Sequence, residues 1–169
     1  MLYSVLPALA LILNLILNRE AFNNLKSGYS KSDKKQVTNF RYACFLMAAN
    51  CYFLVDGAWG IMYERYEVEI LFSFIYSCTV FYFILMLLTM LMWTRFVVAY
   101  LGRNDRFSFI LSCGGWILFA FEILALVINL FTPVVFKYSE DGAYLTGLGR
   151  TITLFAQVVL YLISSIFRR

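Results

Sequence analysis

The sequence predicts an all-α integral membrane protein of five transmembrane helices, with a small extracytoplasmic β-hairpin between the fourth and the fifth. Three observations predict it. The 169 residues are 62% hydrophobic and only 14% charged, where soluble domains carry about 25% charged residues. The apolar residues fall into long runs, and a helix of about 20 residues crosses the hydrocarbon of a bilayer. One segment, residues 134–146, breaks the pattern with β-formers on both sides of Ser139-Glu-Asp-Gly142, which reads as a hairpin.

The runs place the spans at about residues 2–17, 42–63, 70–94, 107–131 and 151–167, in one membrane domain over 1–169. The first is short, with Pro7 near its start and Asn14 near its end. It lacks a basic leader and a small-residue cleavage site, so it reads as a helix and not as a signal peptide. Residues 18–41 form a basic loop holding Arg19, Lys26, Lys31, Lys34, Lys35 and Arg41 against Glu20 and Asp33. Ala21, Phe22 and Leu25 continue the first helix along the membrane surface, and 28–35 reads as loop. The third run meets no charge between Ile70 and Arg95, and its helical pattern continues through Tyr100 to Gly102, a terminator. That length exceeds the hydrocarbon and projects turns on the basic side. Pro133 ends the fourth helix, and residues 133–148 form the outer loop. In the hairpin, alternation puts Val135, Lys137 and Ser139 on one side and Val134, Phe136 and Tyr138 on the other.

Charge sets the orientation. The basic clusters follow the first, third and fifth spans, while Glu64, Glu67 and Glu69 crowd the loop after the second. Positive residues mark the cytoplasmic side, so the N-terminus lies outside and the C-terminus inside a plasma membrane. The basic residues need no nucleic acid to explain them; attraction to anionic lipid suffices.

Function classes narrow by exclusion. There is no histidine, no phosphate-binding glycine loop, no metal-ligand spacing and no nucleophile triad. Catalytic, cofactor and metal sites are therefore not expected. Cys44, Cys51, Cys78 and Cys113 lie in apolar runs and read as small fillers. Two carboxylates stand out, because each costs a few kcal/mol inside a membrane span unless it faces protein or water. Asp56 and Glu122 each lie a few residues past the midpoint of an outward-running helix, so both are expected in the outer half, facing the bundle interior within reach of each other. Trp59 shares a helical face with Asp56, as do Tyr52, Gly60 and Tyr63; Asn129 lies two turns beyond Glu122, and Gln157 is close by on the fifth helix. The third helix offers Tyr76, Ser77 and Thr79 at that level. Asp56, Trp59, Glu122, Asn129 and Gln157 form the expected ligand-binding set, for an unknown small-molecule signal. The same carboxylates also suit hydrogen bonds that hold the bundle together, and both readings stay open.

Four stretches carry a family resemblance. They are residues 15–22 (Leu-Ile-Leu-Asn-Arg-Glu-Ala-Phe), 50–60 (Asn-Cys-Tyr-Phe-Leu-Val-Asp-Gly-Ala-Trp-Gly), 92–100 (Met-Trp-Thr-Arg-Phe-Val-Val-Ala-Tyr), and 129–136 (Asn-Leu-Phe-Thr-Pro-Val-Val-Phe) with the Glu-Asp-Gly turn behind. In order, they resemble the N-terminal membrane sensor region of GGDEF-type diguanylate cyclases of gut Firmicutes. The resemblance implies a signal-sensing module whose parent is a diguanylate cyclase, with further spans and a cytoplasmic output domain. This chain holds no GGDEF signature, so it is expected to be a truncated sensor half, itself not an enzyme. The lipid bilayer is its expected partner, and a homodimer stays open. A small transporter or channel that uses Asp56 and Glu122 in a path is the alternative; its inner half would have to draw on Asn14 and Asn50.

Overall fold

The computed structural model describes residues 2–25, 34–64, 69–102, 106–139 and 143–166. The chain divides into two compact units, Met1–Gly102 and Arg103–Arg169.

The first unit is helical. It holds α1 (Leu2–Leu17), α2 (Arg19–Leu25), α3 (Lys34–Tyr63) and α4 (Glu69–Leu101). Helix α3 is its centre, packing against α1, α2 and α4. Small residues on α3, namely Ala43, Ala48, Ala49 and Gly60, are buried and permit close approach of its neighbours. Helix α4 fills the space with Ile75, Phe83, Leu87, Met90 and Leu91. Pro7 of α1 packs toward Gly57 of α3, where an added Cβ would lie 3.8 Å from the proline Cβ. The outer surface is apolar: Leu6, Ile16 and Leu17 of α1 and Leu54 of α3 are all exposed.

The second unit holds α5 (Arg106–Asn129), β1 (Phe136–Tyr138), β2 (Tyr144–Thr146) and α6 (Leu148–Ile166). The strands pair antiparallel, Phe136 with Thr146, Lys137 with Leu145 and Tyr138 with Tyr144. The Ser139 amide closes the ladder on the Ala143 carbonyl at 2.9 Å. Residues 140–142 of the expected turn lie outside the described residues.

Four helices among the described residues are long and apolar enough to cross a membrane: α3, α4, α5 and α6. Helix α1 is apolar but has 16 residues, about 24 Å at 1.5 Å per residue, short of the ~30 Å hydrocarbon. The multi-pass character read from the sequence is thus present, with four spans by length where five are expected.

Three boundaries differ from the sequence reading by two residues or more. Lys34 and Lys35, expected in a loop, begin α3, eight residues before the apolar run at Tyr42. The polar prefix is held by α4: the Thr38 hydroxyl lies 3.3 Å from the Ala99 carbonyl and the Arg41 guanidinium donates to the Arg95 carbonyl at 3.1 Å. Helix α5 stops at Asn129 rather than at residue 131, because the Asn129 side chain takes up the returning chain. Helix α6 starts at Leu148 rather than at residue 151; the Gly149 amide donates to the Val134 carbonyl at 3.0 Å, which fixes its first turn against the outer loop. The long α4 matches expectation, ending at Gly102 with φ 58°, a left-handed position that suits glycine.

The hairpin alternation also needs correction. Val135 and Phe136 are both fully buried while Val134 is exposed. Val135 precedes the strand, in a bend, so strict alternation starts only at Phe136. Phe136 then stacks on Tyr144 with ring centroids 6.1 Å apart, and the Arg150 guanidinium lies 5.6 Å from the Tyr144 ring centre.

Candidate functional site

Asp56 and Trp59 belong to the first unit; Glu122, Asn129 and Gln157 belong to the second.

In the second unit, Glu122 sits on α5 with no exposed surface. Thr153 of α6, equally buried, donates its hydroxyl to Glu122 Oε2. The same hydroxyl lies 3.0 Å from the Gly149 carbonyl, one turn back. Gln157 follows Thr153 by four residues, on the same face of α6, and is 6% exposed. Two atoms of this cluster have no partner among the described residues, Glu122 Oε1 and Gln157 Nε2. One is an acceptor and the other a donor. A buried polar atom left unpaired costs about 1–3 kcal/mol, so the cluster keeps a hydrogen-bonding capacity that the packing does not use.

Asn129 does something else. Its Oδ1 accepts from the Val135 amide at 2.7 Å and the Phe136 amide at 3.2 Å, and its Nδ2 donates to the Phe136 carbonyl at 3.1 Å. One side chain therefore clasps the entry of the hairpin to the end of α5. From the other side, the Gly147 amide donates to the Val135 carbonyl at 2.8 Å. The hairpin is tied to both helices that carry the polar cluster.

In the first unit, Asp56 is half-buried on α3. The preceding residue, Val55, accepts at its carbonyl from the Cys78 thiol of α4 at 3.7 Å. Trp59, one turn on, donates its indole N–H to the Thr79 hydroxyl at 2.9 Å and stacks on Tyr63 at 5.0 Å and 8°. Tyr52 meets Tyr82 hydroxyl to hydroxyl at 3.1 Å. The aromatic face expected around Asp56 thus fastens α3 to α4, and Thr79 is its partner. Tyr82 was not singled out by the sequence, although it follows Thr79 by three residues on α4 and so shares its face.

A second polar chain runs through this unit. The Tyr42 hydroxyl donates to Asn18 Oδ1 at 2.8 Å, Asn18 Nδ2 to Asn14 Oδ1 at 2.7 Å, and Asn14 Nδ2 to Asn50 Oδ1 at 2.7 Å. The spacing of Asn14 and Asn18, one helical turn, was the available signal. The two amides that a transport path would draw on are bonded to each other.

Among the described residues, no three His, Cys, Asp or Glu side chains gather as metal ligands. The chain matches no family model, no curated protein and no solved structure.

Proposed function

We propose that this chain is a membrane-embedded signal-sensing module. It crosses a plasma membrane five times, counting α1, with its N-terminus outside and its C-terminus in the cytoplasm. It acts on an output domain of the GGDEF cyclase type, as its four stretches of resemblance imply. The observation that carries the reading is the buried Glu122–Thr153 contact between α5 and α6, with the unused acceptor Glu122 Oε1 and donor Gln157 Nε2 in the same packing. A polar interior with unmet capacity suits a small molecule that offers one donor and one acceptor. Its arrival would change the hydrogen bonds that join the two helices, and a ligand shifts a conformational equilibrium through such differential contacts.

Two further features support a sensor over a transporter. The Asn129 clasp couples the hairpin to α5, so a load on the outer segment reaches the Glu122 helix. The inner-half amides Asn14 and Asn50 are hydrogen-bonded to each other, which uses part of the capacity a transport path would draw on.

The test is a chimera. The chain is joined at Arg169 to a GGDEF cyclase domain, and cyclic di-GMP is measured in cells. Glu122→Gln and Asp56→Asn should each change the output while the protein stays in the membrane fraction. Unchanged output from an active chimera in both variants would overturn the sensing role.

A further inference from the structure

At the end of the first unit where α3 begins and α4 finishes, a cavity of about 130 Å³ lies between the two helices, lined by Val37, Phe40, Arg41, Cys44, Met92 and Arg95. Its size is well above the ~10–15 Å³ that one water requires. Two of its six walls are arginines and none is acidic. We propose that this cavity is a binding site for the phosphate of an anionic phospholipid, with Arg41 and Arg95 as its ligands.

Each element of the site points to that chemistry. Arg41 donates one Nη1 hydrogen to the Arg95 carbonyl at 3.1 Å. That contact uses one of five guanidinium N–H groups and fixes the plane of the rest beside Arg95. Arg95 is exposed, and no carboxylate pairs with either arginine among the described residues. Two guanidiniums on adjacent helices offer forked donors that match the two free oxygens of a phosphodiester.

The four remaining walls, Val37, Phe40, Cys44 and Met92, are apolar and suit an acyl chain rather than water. A free phosphate would gain nothing from them, so the occupant is a lipid. The position agrees. Arg41 is the last charge before the apolar run of α3, and Arg95 is the first after that of α4. The neighbouring rings of Tyr42, Phe45, Trp93 and Phe96 lie within 5.1–5.7 Å of one another in successive pairs, the composition of an interfacial belt. Basic pockets between helices at that depth hold lipid head groups. The site rests on α3 and α4 spanning the membrane and is independent of any signal bound at Glu122.

The test uses the whole chain purified in a neutral detergent. Thermal unfolding is followed with added phosphatidylglycerol, phosphatidylcholine or inorganic phosphate at equal concentration. Phosphatidylglycerol should raise the midpoint, phosphatidylcholine should raise it less, and inorganic phosphate should leave it unchanged. Arg95→Gln, which retains the backbone carbonyl that Arg41 uses, should weaken phosphatidylglycerol binding about tenfold, the loss of one charge-assisted contact. Native mass spectrometry of the wild-type chain provides a readout that needs no variant: one phosphatidylglycerol should survive delipidation where phosphatidylcholine does not. Equal effects of the two lipids, an equal effect of free phosphate, or unchanged binding in Arg95→Gln would overturn the site.

Discussion

The Thr153 hydroxyl of α6 meets the Glu122 carboxyl of α5, and neither residue has exposed surface. A threonine hydroxyl carries a single proton, yet this one faces two acceptors, because the Gly149 carbonyl lies 3.0 Å away. That one proton is shared between Glu122 Oε2 and the Gly149 carbonyl. Glutamine keeps an acceptor oxygen for it. Glu122→Gln should therefore cost less than about 1 kcal/mol of stability. Glu122→Ala, which removes the contact between α5 and α6 and leaves a void, should cost roughly 2–4 kcal/mol. Thermal unfolding of both variants in one detergent checks this. Equal damage would mean that an amide oxygen does not replace the carboxyl oxygen.

The Asn129 clasp predicts a local effect. Asn129→Ala removes the acceptor for two buried amides, Val135 and Phe136, and the donor to the Phe136 carbonyl. Orphaning these groups should cost roughly 2–4 kcal/mol. Amide exchange should rise at Val135 and Phe136 before it rises in the middle of α5. Protection unchanged at those two amides would show that β1 holds its entry without the clasp.

The positions legible in the sequence are those where a physical cost shows in the residue itself. Glu122 and Gln157 stand out because a buried polar group in an apolar run demands a reason. Thr153, the partner that matters most to Glu122, does not stand out, since a threonine can satisfy itself on its own helix. Asn129 reads in the sequence as a ligand group, and its bonds to Val135 and Phe136 depend on the chain turning back after Pro133, which periodicity does not describe. The apolar run puts the start of α3 too late for a related reason. Hydropathy sees the apolar run, whereas residues 34–41 stay helical through partners on α4, Ala99 and Arg95, which are remote in sequence.

Two glycines should behave oppositely. A Cβ at Gly147 would lie 2.0 Å from the Val134 carbonyl oxygen, which is backbone and cannot yield cheaply. A Cβ at Gly114 would lie 3.4 Å from a Leu160 methyl, an ordinary contact. Gly147→Ala should lower the unfolding midpoint sharply, and Gly114→Ala should stay within about 0.5 kcal/mol of wild type. A tolerated Gly147→Ala would mean that β2 and α6 can shift away from Val134.

The asparagine ladder should be worth a measurable but small amount. Hydrogen bonds between membrane helices average about 0.6 kcal/mol, reaching about 1.7. A double-mutant cycle with Asn14→Leu and Asn50→Leu should give a coupling in that range. A coupling of zero would assign the packing of α1 on α3 to its apolar contacts alone.

Paired topology reporters test whether the hairpin lies outside and the C-terminus in the cytoplasm. Alkaline phosphatase, active only outside, and green fluorescent protein, fluorescent only in the cytoplasm, are each inserted in the 139–142 turn and fused after Arg169. Phosphatase activity is expected from the turn and fluorescence from the C-terminus. Fluorescence from the turn with phosphatase activity at the C-terminus would invert the proposed orientation.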